Sequence, residues 1–124
     1  MSKTMLIVAD EGATARWLPL YCEQSGWSVA IARDAAQARA RLAQGCQPAV
    51  ALVDAVLGED DGYETCQEIR HARPDAYLVM TSARAGRVAR LKARAAGADA
   101  YLSKPFELAD LADLIESRKA QSWD

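Results

Sequence analysis

Apolar runs of strand length recur along the chain at Met5–Ala9, Trp27–Ala32, Ala49–Val53, Tyr77–Met80 and Ala98–Leu102. Between them lie Asp34–Ala43, Gly62–Ala72, Val88–Ala96 and Leu108–Lys119, whose Ala, Arg and Leu content predicts helices. A further helix is expected between the first two strands. Pro19 would remove a hydrogen bond from its interior, so that helix either starts near Leu18, with Pro19 in its first turn, or is kinked. Punctuation follows the same rhythm. Gly26 ends the first helix, Asp34 can cap the second, and Gly45 with Pro48 closes it. Pro74 follows the third helix, Gly97 the fourth, and Lys104-Pro105 separates the last strand from the last helix.

Strict alternation of five strands and five helices is the pattern of βα units. Nearly continuous apolar strands such as Val50-Ala51-Leu52-Val53 suit a parallel sheet covered on both faces. Right-handed crossovers then make a doubly wound α/β fold, (βα)5. Ligands of such folds bind beyond the carboxyl ends of the strands. The residues just there are Asp10-Glu11, Asp54, Thr81-Ser82 and Ser103-Lys104. Acids, a hydroxyl and an amine therefore converge on one edge.

The chain has 124 residues, enough for one sizeable core, and residues 1–124 are expected to form one domain with a fraying tail at 120–124. Half of the residues are apolar (51%) and a quarter charged (26%), the balance of a soluble globular protein. No apolar run approaches the roughly 20 residues that span a bilayer, and Met5–Ala9 is too short for a signal peptide. A cytoplasmic location is expected, with no membrane partner. The net charge of −2 argues against direct nucleic-acid binding by this domain. The three cysteines, Cys22, Cys46 and Cys66, lack metal-ligand spacing and read as reduced thiols. His71 has no partner in a recognisable motif and reads as a surface residue.

A carboxylate at a strand's end can accept a phosphoryl group if cations neutralise the charge that gathers on it. The parts needed are acids to hold a divalent ion, a hydroxyl for a phosphoryl oxygen and an opposing amine. The segments Leu6-Ile7-Val8-Ala9-Asp10-Glu11, Leu52-Val53-Asp54, Met80-Thr81-Ser82-Ala83-Arg84 and Gly97–Phe106 carry those parts. Together they resemble the receiver domains of two-component response regulators, over about residues 4 to 118. The resemblance implies the flavodoxin-like strand order 2-1-3-4-5 of the chemotaxis receiver.

It also implies a role for each residue. Asp54 would be the phosphoacceptor. Mg2+ would be held by Asp10, Asp54 and the backbone carbonyl of Val56, with Glu11 as a further candidate. Lys104 and Ser82 would contact the phosphoryl oxygens, and Tyr101 would be the aromatic switch. Counting back from Lys104 selects Ser82, whereas a small residue after the hydroxyl also fits Thr81. Adjacent strand residues point to opposite faces, so only one of the two reaches the site. Val56 and Arg84, each two residues beyond a site residue, would tune the acyl phosphate's lifetime. Valine offers nothing to orient water, so dephosphorylation is expected to be slow. The Lys104–Pro105 bond is cis in the resembling family.

Two departures matter. Receivers usually carry two adjacent acids after the first strand, and Ala9 takes the first place unless the register shifts by one to pair Asp10 with Glu11. Glu59-Asp60-Asp61 lies in the loop after the third strand, either as helix N-terminal acids or as a partial replacement for the missing charge. Gly58 stands where the family commonly has proline, which leaves that loop freer to move.

The family's partners would be a sensor histidine kinase or phosphotransfer protein and a downstream effector or output domain. Between Ala83 and Asp99 the charges are all basic, Arg84, Arg87, Arg90, Lys92 and Arg94, while the last helix carries Glu107, Asp110, Asp113 and Glu116. These charges are either solvated or form a partner surface, including a homodimer through the fourth and fifth helices. Asp99 is followed by Ala100, so the acidic pair of the DNA-binding subfamily is incomplete. Such a domain is no enzyme beyond catalysing its own phosphorylation and dephosphorylation. The competing reading is a phosphorylation-independent interaction module with a weakened metal site. A flavin carrier lacks the phosphate loop, since Asp10-Glu11-Gly12 stands there instead.

Overall fold

The computed structural model describes residues 3–10 and 16–119. In chain order the elements are β1 (Lys3–Val8), α1 (Leu18–Gln24), β2 (Trp27–Ala32), α2 (Ala35–Ala43), β3 (Val50–Asp54), β4 (Val56–Leu57), β5 (Asp60–Asp61), α3 (Gly62–Ala72), β6 (Tyr77–Ser82), α4 (Arg87–Ala95), β7 (Ala100–Ser103) and α5 (Leu108–Ser117). Five strands form one sheet in the order β2-β1-β3-β6-β7, all parallel. Numbered among themselves, these are 2-1-3-4-5, the expected flavodoxin-like order. The remaining two, β4 and β5, pair with each other as an antiparallel hairpin in the loop after β3.

Strand alternation divides the core in two. Leu6, Val8, Ala51, Val53, Leu78 and Met80 point toward Ala38 of α2, Cys66 and Ile69 of α3, and Ala89 and Ala93 of α4. Met5, Ile7, Ala9, Val50, Leu52 and Val79 point the other way, onto Leu18 and Cys22 of α1 and Leu111 and Ile115 of α5. Three helices therefore cover one face and two the other. Every residue of β3 and of β6 is buried, which is why their sequences show no polar alternation.

Helix ends follow the sequence. Pro19 stands in the first turn of α1, where its missing N–H costs nothing. The Asp34 carboxylate accepts the N–H of Gln37 at 2.8 Å and caps α2. Strand ends moved by one or two residues, and β6 runs on to Ser82, past the expected Met80. The loop expected to be freer because of Gly58 contains the β4–β5 hairpin, with Gly58 at its turn at φ +62°. Tail residues 120–124 lie outside the described residues. No helix among the described residues is long and apolar enough to cross a membrane.

Candidate functional site

Asp54 ends β3 and is 4% exposed. A carboxylate taken out of water costs several kcal/mol unless charges and donors replace its hydration. Here both oxygens are provided for. Lys104 Nζ lies 3.0 Å from Oδ2, and the Thr81 hydroxyl donates to Oδ1. The Lys104–Pro105 peptide bond beside that lysine is cis, as the resemblance implies.

Register explains the Thr81 contact. Asp54 is the Cα partner of Thr81 across the parallel β3–β6 pair. Asp54 follows Leu52 and Val50 in alternation, and Thr81 follows Val79 and Tyr77, so both side chains leave the sheet on the α1/α5 face. Ser82 leaves on the other face, where its Oγ accepts the N–H of Arg84 at 3.1 Å. The two candidate hydroxyls are thus separated: Thr81 touches the Asp54 carboxylate, and Ser82 lines a cleft of about 810 Å3. That cleft runs from Ala55, Val56 and Glu59 to Tyr63, Arg84 and Lys92. Val56 stands at it as an exposed isopropyl group, 67% accessible.

Helix α3 is pressed directly against the end of β3. The Gly62 N–H donates to Ala55 O at 2.9 Å. A Cβ on Gly62 would stand 2.0 Å from Asp54 O and 2.7 Å from both Cα and O of Ala55. Only glycine permits this approach.

The acids around the site are occupied differently from one another. Asp61 accepts the N–H of Tyr63 at 2.8 Å and caps α3. Asp60 reaches across to α2 and accepts the N–H of Ala35 at 3.1 Å. Both thus act at helix N-termini, where the backbone presents unpaired N–H groups. Glu59 lines the cleft. Asp10 is half-buried and turned toward the same loop, its Oδ2 lying 3.8 Å from where a Cβ on Gly58 would stand. Arg33 Nη1 approaches the backbone carbonyl of Asp10 at 3.4 Å. Ala9 is 1% exposed and packs in the α1/α5 core, with its N–H bonded to Ala32 O at 3.0 Å. Glu11, the further metal candidate, lies outside the described residues. Among the described residues, no group of three or more His, Cys, Asp or Glu side chains is placed to hold a metal. Two carboxylates and a carbonyl nevertheless suit magnesium, which commonly takes one or two carboxylates and keeps several waters.

Tyr101 is turned inward, 1% exposed, and its phenol donates to the backbone carbonyl of Arg84. Tyr63 stands on the cleft wall with the Lys92 ammonium 4.9 Å from its ring centroid. Burial, and then the neighbouring Tyr101 and Asp61, push the Tyr63 phenol's pKa up. The aromatic switch candidate and Arg84 are therefore joined directly. Sequence reasoning did not foresee the Thr81–Asp54 bond, the Asp60 contact with the first N–H of α2 or the Tyr101–Arg84 bond, because each depends on which face a side chain leaves.

Comparison with known proteins assigns the class. Residues 5–116 match the family model of the response regulator receiver domain, and the chain belongs to that family. It is 31% identical over 106 residues to the transcriptional regulatory protein CssR of Bacillus subtilis (strain 168), covering 86% of this chain and 46% of that one. It is 32% identical over 111 residues to the response regulator MprA of Mycobacterium bovis (strain BCG / Pasteur 1173P2), covering 90% and 48%. The chain thus spans about half the length of the curated relatives it matches. Among solved structures, it resembles the CheY-like receiver domain protein of Methanospirillum hungatei JF-1, with a TM-score of 0.87, 29% identity and coverage of 95% and 94%.

Proposed function

We propose that this domain accepts a phosphoryl group on Asp54 and passes the change to a partner through the α4–β7–α5 side of the fold. The observation that carries this reading is the ion pair at the end of β3. A buried carboxylate is paired with Lys104 at 3.0 Å, beside a cleft of about 810 Å3 that opens from Ala55 and Val56.

In the transfer, an Asp54 oxygen bonds to phosphorus while the donor's bond to phosphorus breaks and the donor group leaves with the electron pair. Lys104 and Ser82 are the phosphoryl contacts we assign, Lys104 for its charge beside Oδ2 and Ser82 for its place on the cleft wall. Asp10, Asp54 and the Val56 carbonyl would hold Mg2+, as receiver domains generally do at their phosphorylation site, with Glu11 as a further ligand. When bound there, magnesium supplies positive charge against the oxygens of the transferring group. Tyr101 would report the change, since its phenol is tied to the loop carrying Arg84.

The donor in this reading is a sensor histidine kinase or phosphotransfer protein, in the cytoplasm. The receiver of the signal is an effector or output domain, or a second copy meeting α4 and α5. Residues 1–124 act as one receiver domain with no catalysis beyond their own phosphorylation and dephosphorylation. The phosphorylation-independent module is not favoured, because such a module has no need to keep a buried carboxylate paired with a lysine.

The test is incubation with magnesium and a small-molecule phosphodonor such as acetyl phosphate, beside Asp54→Asn. The expected result is a mass gain of one phosphoryl group in the wild type and none in Asp54→Asn. No acyl phosphate, together with no magnesium affinity in the millimolar range, would establish the interaction module instead.

A further inference from the structure

We infer that Thr81 shortens the life of the acyl phosphate by hydrogen-bonding the carboxylate oxygen that stays behind when phosphate leaves. The inference rests on the reading of Asp54 as the acceptor and assigns a role that the phosphoryl-contacting groups do not fill.

The two oxygens of Asp54 have different neighbours. Oδ2 faces Lys104 Nζ at 3.0 Å, and Oδ1 accepts the hydroxyl of Thr81. Thr81 is 1% exposed and sits opposite Asp54 in the strand register, so water does not compete for either partner. Ser82, the other hydroxyl, is on the opposite face and engaged with the N–H of Arg84. Both oxygens carry a donor, but Lys104 is the group assigned to the phosphoryl oxygens, which places the incoming phosphoryl group on the Oδ2 side. The oxygen beside the lysine is therefore the one that bonds to phosphorus, and Oδ1 becomes the acyl carbonyl oxygen.

Hydrolysis then follows with its atoms in balance. A water oxygen bonds to phosphorus, the bond from phosphorus to Oδ2 breaks, and its electron pair returns to the carboxyl group. Inorganic phosphate leaves and the water proton passes to solvent. Before the bond breaks, Oδ1 is a neutral acyl oxygen. As it breaks, negative charge spreads over both carboxylate oxygens, and the Thr81 bond becomes charge-assisted. Charge-assisted hydrogen bonds are roughly twice as strong as neutral ones. An interaction that strengthens toward the transition state accelerates the step. Phosphoryl transfer has a loose transition state in which the leaving bond is largely broken, so leaving-group stabilisation weighs more than nucleophile strength. Thr81 therefore affects the loss of phosphate more than its arrival.

The test uses the whole chain as wild type, Thr81→Val, Thr81→Ala and Thr81→Ser. Each is loaded with acetyl phosphate and magnesium, freed of donor, and followed for decay of the acyl phosphate. Removing the hydroxyl in Thr81→Val should slow decay about threefold to tenfold, the value of strengthening one buried bond. The loading rate should change by less than the decay rate. Thr81→Ser, which keeps a hydroxyl, should restore the wild-type decay rate. Merely loosened packing would admit water and quicken decay, the opposite sign. If Thr81→Val fails to fold by circular dichroism, Thr81→Ala against Thr81→Ser makes the same comparison. Decay in the hydroxyl-free variants as fast as in wild type, with wild type labelled, overturns the role of Thr81 alone. A wild type that takes no phosphoryl group overturns the acceptor reading and this inference with it.

Discussion

Arg70 and Asp99 meet at 2.7 Å, Nη2 to Oδ2, and the same carboxylate oxygen accepts the N–H of Leu78 at 2.9 Å. The rest of the guanidinium is spent on backbone carbonyls: Nε on Gly97 at 3.0 Å, and Nη1 on Pro74 at 2.7 Å and Ala76 at 2.8 Å. One side chain from the last turn of α3 thus ties the entry of β6 to the loop before β7. Planar, forked donors suit this work, and a lysine would make only part of it. Gly97 is held at φ +100°, and a Cβ there would stand 3.0 Å from Arg70 Cγ, so the clamp also fixes the glycine.

Arg70→Met should therefore cost about 2–3 kcal/mol, because it strands several part-buried acceptors and the Asp99 charge. Asp99→Asn should cost less, since an amide oxygen still accepts from Leu78. The control is Arg39→Ala. Arg39 and Glu68 are 3.2 Å apart, but their side chains are 56% and 44% exposed, so the pair is worth about 0.5 kcal/mol or less. Urea unfolding of the three variants checks the order. An Arg70→Met variant no weaker than Arg39→Ala would show that the clamp contributes nothing.

Gly62→Ala is expected to destabilise the domain by about 2 kcal/mol or more and to impair loading of Asp54. The added methyl group meets only backbone, at 2.0 Å from Asp54 O and 2.7 Å from Ala55, so no flexible side chain can yield. Helix α3 has to withdraw, and with it the Asp61 cap and the β4–β5 hairpin. Thermal unfolding and phosphoryl loading, compared with Arg70→Met, separate the two effects. Equal loading in both variants would show that the approach of α3 matters for stability only.

The fold was legible from the apolar periodicity and the glycine and proline punctuation, because a parallel sheet buried on both faces leaves continuous apolar runs. Asp54, Lys104 and Asp10 were legible from their places at strand ends. The separation of Thr81 from Ser82 was not, since both belong to β6, which is buried throughout and carries no polar alternation to fix the face. Asp60 and Asp61 read alike in sequence, yet one accepts the first N–H of α2 from across the site and the other caps α3. Asp99 was legible only as the remnant of an incomplete acidic pair, and nothing in the sequence tied its carboxylate to Arg70 and Leu78. A residue's type sets what it can bind. Strand parity and tertiary neighbours decide what it does bind.

The cysteines give a pH prediction. Burial, with the Glu23 charge second, pushes the Cys22 thiol up to about 11 from 9.0. Burial pushes Cys66 up to about 12, with Arg70 opposing and Asp99 adding to the shift. These folded-state thiols keep their protons to higher pH than unfolded ones. The stability they contribute is full below about pH 9 and declines as pH rises toward 11 to 12, because unfolding then releases protons. Tyr77, also raised by burial, acts in the same direction at higher pH. Urea melts at increasing pH above 8 should show a steeper decline for wild type than for Cys66→Ala. At pH 8 a thiol reagent should label half-buried Cys46 first and leave Cys22 and Cys66 until the fold opens. Fast native-state labelling of Cys66 would contradict its burial.

In the proposed dephosphorylation, Val56 and Thr81 would act at opposite ends of the bond that breaks. Val56, exposed beside the cleft two residues past Asp54, presents only methyl groups to an incoming water. Thr81 donates to the Asp54 oxygen that would stay on the departing carboxylate. An amide at position 56 could donate to and accept from water, so Val56→Asn should hasten decay of the acyl phosphate. The expected gain is about threefold to thirtyfold, or roughly 0.6–2 kcal/mol of barrier. Because Val56 is 67% exposed, the substitution should leave stability within about 0.5 kcal/mol. In the double variant Val56→Asn/Thr81→Val the two effects should oppose each other and combine additively, since no atom is shared between them. The measurement is decay of label from purified phosphoprotein for wild type, both single variants and the double. Rapid loss from wild type would remove the slow baseline that Val56 is proposed to set. Additivity in the double variant would locate one effect at the attacking water and the other at the leaving oxygen.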